Sequence, residues 1–244
     1  MRVKARSTPP PGIVIILIGL VGSACSFTRS LDDLQGGLPD GGLVYPPHTI
    51  PITGDNQFSE AETFPTSSFD YKGYVAWDRQ NLYYGMEGSA VEGNDPANWV
   101  LAYFGTSGGT AARTRTAHAY AGQIPDLNFD ASYHARWKAN DTFISFMRYS
   151  PGGWQDSFAF PGQHRRKGRF VEFSLPLDQL FGLGDDLTQL TMVMTMIHEV
   201  TPQTTYASVP QGAVSPNGSF NPVYTLSFRF DLTGGTLPNR HPPR

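Results

Sequence analysis

From about His48 onward, apolar and polar residues alternate with a period of two, which is the pattern of half-buried β-strands. The clearest case is residues 73–87, where polar turn residues separate two apolar and aromatic runs and predict a β-hairpin. Further strands are predicted at residues 99–104, 114–120, 131–137, 142–149, 158–160, 169–175, 187–198, 204–209 and 224–231. The best helical candidate, Leu177–Phe181, spans about one turn.

Short strands separated by Gly, Pro, Asn or Asp clusters, without a long amphipathic helix, favour an all-β fold, an antiparallel two-sheet β-sandwich. The expected domain is residues 48–232. The preceding residues 26–47 are rich in Gly and Pro and predict a flexible tether. Residues 233–244 predict a disordered tail.

Residues 1–25 carry a different pattern, that of a secretory signal peptide. Arg2, Lys4 and Arg6 precede an apolar run at residues 13–21, which is too short to span a bilayer as a helix. Small residues follow this run and end at Cys25. We therefore expect an exported protein, and we exclude this segment from the fold prediction.

Two fates of Cys25 are open. The small residues before it resemble a bacterial lipobox, although Gly22 stands where that motif usually carries Leu. This resemblance predicts a lipid-bearing Cys25 and a membrane-anchored lipoprotein of the bacterial cell envelope, periplasmic or surface-facing. The alternative is an ordinary cleavage near Ala24 that leaves Cys25 as a free thiol.

Charge and cysteine content exclude several classes of function. Lys and Arg number 18 against 21 Asp and Glu, a net charge of −3, so the chain lacks the basic excess that binds nucleic acid. A single cysteine excludes both an intrachain disulfide and a cysteine-based metal cluster.

Three short motifs resemble a known family. They are Thr49–Ile52 followed by Gly54-Asp55, Trp77-Asp78 followed by Asn81-Leu82-Tyr83, and Phe170–Pro176, containing Glu172, before Leu180. Together they look like the family 9 carbohydrate-binding modules and their DOMON-like relatives over roughly residues 48–232. The resemblance implies a β-sandwich that binds saccharide without catalysis.

The resemblance also implies a pair of aromatic side chains that clamp a sugar ring. Flat aromatic rings stack on the apolar CH faces of sugars, while neighbouring polar groups bind the hydroxyls. The candidate ligand-binding residues are Trp99, Trp154, Phe220, Asn98 and Asn217. Val100, Leu101 and Ala102 stand where the family carries acidic residues, and the alternative is that Trp99 packs in the core.

Residues 105–109, Gly-Thr-Ser-Gly-Gly, match the nucleophile-elbow pattern, which needs a strand that leads into a helix within a parallel sheet. No alternating helices are predicted, so a Gly-rich strand connection is favoured and no enzyme is expected. Residues 165–167, Arg-Arg-Lys, predict a solvated loop tip. The six histidines show no metal-ligand spacing.

Metal and haem interpretations rest on few residues. Met192, Met194, Met196 and His198 alternate on one strand face, and some DOMON relatives hold haem with a Met and a His, here Met86 with His134 or His198. Methionine as a filler between sheets is favoured instead, and no cofactor is expected. Acidic positions that could bind calcium in such folds, none with EF-hand spacing, are Glu60, Glu62, Asp70, Asp78, Asp185 and Asp186.

The sequence thus predicts an exported, lipid-anchored, non-catalytic module with weak affinity for saccharide at the cell surface. The alternative is a structural or protein-interaction β-sandwich lipoprotein without sugar binding. The expected partners are a saccharide and, through the lipid anchor, a membrane, with no nucleic acid.

Overall fold

The computed structural model describes residues 48–78, 80–181, 185–200, 204–213, 224 and 227–231. The predicted signal peptide, tether and tail lie outside the described residues, as do Cys25, Asn217 and Phe220. No helix in the described part of the chain has the length and apolar character needed to cross a membrane.

In chain order the described strands are β1 (Thr63–Pro65), β2 (Lys72–Trp77), β3 (Asn81–Glu87), β4 (Asn98–Gly108), β5 (Thr114–Thr116), β6 (Asp126–Ala131), β7 (Tyr133–Lys138), β8 (Ile144–Ser150), β9 (Gly153–Phe158), β10 (Gln163–Lys167), β11 (Phe170–Pro176), β12 (Asp185–His198), β13 (Thr204–Val209) and β14 (Phe228–Asp231). Short helical turns lie at Glu60–Glu62, Ser89–Glu92 and Leu177–Gln179.

The strands form two main antiparallel sheets. The five-stranded sheet has the order β1-β2-β3-β11-β10. The seven-stranded sheet has the order β13-β12-β4-β7-β8-β9, with β14 also paired to β12. One hydrophobic core, which includes Val75, Tyr84, Phe104 and Phe173, draws its buried residues from both sheets. The predicted antiparallel two-sheet β-sandwich is confirmed.

Alternation along β4 gives the seven-stranded sheet two apolar faces. Val100, Ala102 and Phe104 belong to the core between the sheets, whereas Trp99, Leu101 and Tyr103 belong to a second buried cluster. Successive side chains of a strand point to opposite faces, so the second cluster lies on the side turned away from the five-stranded sheet. We call this side the outer face.

The methionine stripe of β12 belongs to the inner side of the same sheet. Met192, Met194 and Met196 are buried in the core between the sheets, while Val193 and Ile197 belong to the outer-face cluster of apolar side chains. The predicted division of β12 into two faces is therefore present. The thioethers pack there as apolar side chains that fill irregular space between the sheets.

A small sheet covers part of the outer face. It consists of β5 paired with β6, and Leu127 of β6 packs with Ala117 and Tyr120 in the second buried cluster. At Gly105 of β4 the covering layer comes so close that an added Cβ would lie 2.5 Å from the Asp130 carbonyl oxygen. Gly105 and Ser107 lie within β4 and lead to β5, not to a helix, so the strand-to-helix turn of a nucleophile elbow is not formed.

The residues that carry the family resemblance hold the segment before β1 against the five-stranded sheet. Ile50 packs against Ala76 and Tyr83 on the side of this sheet away from the core. The backbone N–H of Gly54 donates to Oε1 of the buried Glu172 at 2.5 Å, and the Thr49 hydroxyl donates to the Asp78 carboxylate at 2.9 Å. These motif residues therefore hold the start of the domain to the sandwich.

The predicted hairpin at residues 73–87 is confirmed as β2 and β3. The predicted strand at residues 114–120 shrinks to β5, and of residues 158–160 only Phe158, the last residue of β9, lies in a strand. Four strands were not predicted, namely β1, β6, β9 and β10. These strands are short or largely polar. Each lies at a sheet edge or in the covering layer and buries little of its surface, so its sequence needs few apolar residues.

Residues 165–167, predicted as a solvated loop tip, lie in β10 and not in a loop, while Arg165 and Lys167 are exposed as expected. The guanidinium of Arg166 donates from Nη1 to the carbonyl oxygens of Val91 (3.3 Å) and Ala139 (2.5 Å) and to Oδ1 of Asn94 (2.6 Å). Arg166 therefore ties the edge of the five-stranded sheet to two loops. A guanidinium with several fixed donors suits this role.

Candidate functional site

Cross-strand pairing assembles a row of aromatic and charged side chains on the outer face. Trp99 of β4 stands opposite Lys138 of β7. The backbone N–H of Lys138 donates to the carbonyl oxygen of Phe143 in the adjoining hairpin at 2.9 Å, so these two residues also face each other. A second row runs through Leu101, Arg136 and Ser145. Side chains directly opposite in antiparallel strands lie close enough to interact.

We define the outer-face cluster as Trp99, Arg136, Lys138, Phe143 and Trp154. Its centre is the indole of Trp99, whose ring meets the Phe143 ring edge to face at 5.8 Å. The Lys138 ammonium lies 4.8 Å from the centroid of the Trp99 ring, and the Arg136 guanidinium lies 5.7 Å from it. The negative face of an indole attracts such cations.

Arg136 joins the aromatic part of the cluster to β9. Its Nε donates to the Ser145 hydroxyl at 2.9 Å, and its Nη2 forms an ion pair with the Asp156 carboxylate. The guanidinium also lies 5.1 Å from the Phe143 ring centroid. Only 12% of the Arg136 side chain is exposed. The guanidinium is therefore fixed by its partners before any ligand arrives.

A buried histidine supports the floor of the cluster. The His134 ring stacks on Tyr103 at 4.0 Å, and Trp154 meets both rings edge to face. Nδ1 of His134 donates to the Ala102 carbonyl oxygen at 3.0 Å, so Nε2 accepts a hydrogen bond from the Tyr120 hydroxyl at 2.7 Å. Burial lowers the pKa of His134 well below its ordinary value, which agrees with a neutral ring.

His118 lies next to this buried histidine, with the centroids of the two rings 6.0 Å apart. Burial and, to a smaller extent, the positive charge of Arg136 lower the pKa of His118 to about 4. Both histidines are therefore uncharged at neutral pH, and the positive charge of the outer-face cluster comes from Arg136 and Lys138.

Exposure separates the members of the cluster into support and surface. Trp99 is only 5% exposed, and its ring faces Lys138, Arg136 and Phe143, not open solvent. Phe143 is 38% exposed. Lys138 and Trp154 are partly exposed, and the Trp154 indole N–H donates to the Thr116 carbonyl oxygen at 2.9 Å. The surface thus offers the Phe143 ring with charged groups beside it.

The structure brings two of the predicted ligand-binding residues together. Trp99 and Trp154 both lie on the outer face, where each packs with Tyr103 and its neighbours. Asn98 precedes Trp99 in β4 and is buried, with Nδ2 donating to the Ala90 carbonyl oxygen at 3.4 Å. Adjacent strand residues point to opposite faces, so Asn98 does not reach the outer-face cluster. Phe220 and Asn217 lie outside the described residues.

Three members of the cluster, Arg136, Lys138 and Phe143, were not predicted from the sequence. Arg136 and Lys138 alternate with apolar residues in β7, and this alternation placed them on one face with Trp99. The sequence signal that could have identified them is this alternation of charged with apolar residues in a strand next to the one that carries Trp99. Phe143 gave no signal, because only the hairpin between β7 and β8 brings it over Trp99.

Several of the residues considered for haem and calcium have other contacts. Met86 is buried in the core between the sheets, whereas His134 lies on the outer face with both ring nitrogens engaged. Among the described residues, no group of three or more His, Cys, Asp or Glu is arranged to hold a metal ion. Asp70 pairs with Arg169, and the Asp78 carboxylate accepts the Tyr83 hydroxyl at 2.7 Å.

The chain is similar to two solved structures of a family 9 carbohydrate-binding module from Caldicellulosiruptor kristjanssonii. For the complex with glucose, the TM-score is 0.37 at 14% identity, covering 68% of this chain and 83% of that chain. For the complex with cellotriose, the TM-score is 0.34 at 14% identity, covering 68% of this chain and 81% of that chain. No family model matches the chain, and no curated protein matches it.

Proposed function

We propose that this domain is a non-catalytic module that binds saccharide weakly at the outer-face cluster. The observation that carries the proposal is the Phe143 ring, 38% exposed, with Arg136 and Lys138 beside it. An exposed aromatic ring can stack on the CH face of a pyranose, and neighbouring N–H donors can bind its hydroxyls. One exposed ring gives a small apolar contact, so the affinity is weak.

The hairpin that presents Phe143 supports the proposal because it is held in place. Asp141, at the turn between β7 and β8, accepts hydrogen bonds at Oδ1 from the Trp137 indole at 2.8 Å and from Nε2 of His164 at 2.9 Å. The turn is therefore fixed to both sheets. A surface that is ordered before binding loses less conformational entropy when the ligand arrives.

Trp99 acts as support for this surface. Its indole lies under Lys138 and against the edge of Phe143, so it orients both groups. This role differs from the clamp expected from the family resemblance, in which the tryptophan itself would stack on sugar. The part of the clamp assigned to Phe220 stays a prediction.

The test is affinity electrophoresis of the full chain in detergent, in gels with and without soluble polysaccharides. Phe143→Ala removes the exposed ring and is expected to abolish retention. Phe69→Ala is the matched control, because Phe69 is a fully exposed phenylalanine in the loop between β1 and β2 of the five-stranded sheet. This control is expected to be retained like the wild type.

Two results would contradict the proposal. Retention that is unchanged in Phe143→Ala would place binding elsewhere. Absence of retention of the wild-type chain on neutral and acidic polysaccharides would favour the alternative, a structural or protein-interaction sandwich. The 5% exposure of Trp99 is the observation that favours this alternative, since an aromatic residue this deeply packed contributes to stability.

We also propose that the chain is exported and anchored to a membrane of the bacterial cell envelope through lipid on Cys25. Cys25 is the only cysteine and follows a basic and apolar leader. Cys25→Ser is expected to move the protein from the membrane fraction to the soluble fraction and to remove acyl labelling. Intact wild-type protein without acyl mass by mass spectrometry would contradict the anchor.

A further inference from the structure

The two cations of the outer-face cluster differ in what neutralises them. Arg136 forms an ion pair with Asp156 and a hydrogen bond with Ser145. Lys138 lies over the Trp99 ring at 4.8 Å and forms no ion pair with any residue in the described part of the chain. An aromatic face attracts an ammonium group but does not neutralise its charge.

The position of Lys138 changes what the surface can accept. Its ammonium covers the face of Trp99, which is where a neutral sugar ring would otherwise stack. Phe143 pairs with Lys138 across the hairpin through a backbone hydrogen bond, and its exposed ring and the Lys138 ammonium both lie against the Trp99 ring. A ligand that lies against Phe143 therefore meets a positive charge at its edge. The chemical complement of an ammonium group with three donors is an anionic oxygen group.

We propose that the saccharide bound at the outer-face cluster is acidic, with its ring against Phe143 and its carboxylate or sulfate group paired with Lys138. This inference rests on the proposed function. Arg136 does not take the anion, because Asp156 already neutralises it. The Asp156 carboxylate remains available to the hydroxyls of the same sugar, since its side chain is 46% exposed.

The net charge of the protein does not supply this preference. The chain carries a net charge of −3, so a general attraction to polyanions is not expected from its overall field. A preference for acidic saccharide must then come from a local group. Such a local ion pair at the surface weakens as added salt screens it over about 10 Å at 0.1 M ionic strength.

The test compares three polymers in the same gel assay with the full chain: polygalacturonate, dextran sulfate and neutral hydroxyethyl cellulose. The variants are Lys138→Gln, which removes the charge, and Lys138→Arg, which keeps it. Lys72→Gln is the matched control, because it removes one positive charge from an exposed position on β2. Circular dichroism spectra of all variants report whether the fold is kept.

We expect the wild type to bind at least one acidic polymer about fivefold more tightly than the neutral polymer. Lys138→Gln should lose this difference, while Lys138→Arg and Lys72→Gln keep it. The comparison of polygalacturonate with dextran sulfate identifies the anionic group. If the neutral polymer binds equally well, or if Lys138→Gln keeps the preference, the inference fails while the proposed function stands. If no polymer is retained, the proposed function fails as well.

Discussion

At the scale of single residues, the central distinction is between support and surface. Trp99 is 5% exposed and packs against Tyr120, Phe143 and two cations, so its loss leaves a cavity beneath the outer face. Trp99→Ala is expected to lower the free energy of unfolding by about 3 to 5 kcal/mol, measured by urea denaturation. A loss below about 1 kcal/mol would show that Trp99 is an open platform and not support.

The matched control for this substitution is Phe69→Ala. The Phe69 side chain is fully exposed, so its truncation is expected to change the free energy of unfolding by less than about 0.5 kcal/mol. Trp99→Ala and Phe69→Ala each remove one aromatic ring, and the two rings differ in how deeply they are buried.

The neutral histidines of the outer face make stability depend on pH. Burial lowers the pKa of His118 to about 4, so between pH 4 and 6.5 the unfolded chain binds more protons at this residue than the folded chain. Stability is therefore expected to fall as the pH drops from 6.5 towards 4. His118→Gln should reduce the slope of melting temperature against pH in this range. An unchanged slope would contradict the assignment of His118 to this effect.

The sequence could predict part of the candidate site at the residue scale. Trp99 and Trp154 were predicted as ligand-binding residues; both lie on the outer face, and their binding of a ligand stays a prediction. Lys138 and Phe143 were not predicted, since their importance comes from their contacts with the Trp99 ring, which depend on the register of neighbouring strands. Register follows from long-range pairing, which one strand's own alternation does not determine.

At the scale of elements, Arg166 shows how an edge strand can hold loops in place. Its Nη1 donates to the carbonyl oxygens of Val91 and Ala139, which lie in other parts of the chain. Arg166→Ala is expected to lower the free energy of unfolding by about 1 to 3 kcal/mol, because partly buried acceptors lose a charged donor. Chemical denaturation measures this loss.

The neighbouring Arg165 provides the control for Arg166. It is exposed in β10, and Arg165→Ala is expected to change the free energy of unfolding by less than about 0.5 kcal/mol. Equal effects of the two substitutions would contradict the special role of Arg166.

The elements that the sequence could predict are those with strong apolar alternation. The β2–β3 hairpin was predicted because both of its strands bury most of their residues between β1 and β11. β10 was missed because its five residues are all polar and alternate between exposed and half-buried positions at a sheet edge. Edge strands are held by pairing on one side, so their sequences carry little apolar signal.

At the scale of the whole molecule, alternation predicts the sandwich but not which sheet face stays available for a ligand. The segment before β1 covers the outer side of the five-stranded sheet through Ile50, and β5 with β6 covers part of the outer face. The segment before β1 and the β5–β6 sheet are connected to the sandwich by irregular segments, whose sequences show no sustained alternation of apolar and polar residues. The position of the outer-face cluster beside the β5–β6 sheet therefore required the structure.

The four tryptophans allow a direct measurement of saccharide binding at the outer-face cluster. Trp99 and Trp154 lie on the outer face, Trp137 lies in the core between the sheets, and Trp77 lies in the five-stranded sheet. The indole N–H resonances of the ¹⁵N-labelled protein can be followed during titration with oligogalacturonate and with cello-oligosaccharide. We predict saturable shifts of Trp99 and Trp154 in at least one titration, with Trp77 unchanged. No shift with either ligand, or a shift confined to Trp77, would contradict saccharide binding at this cluster.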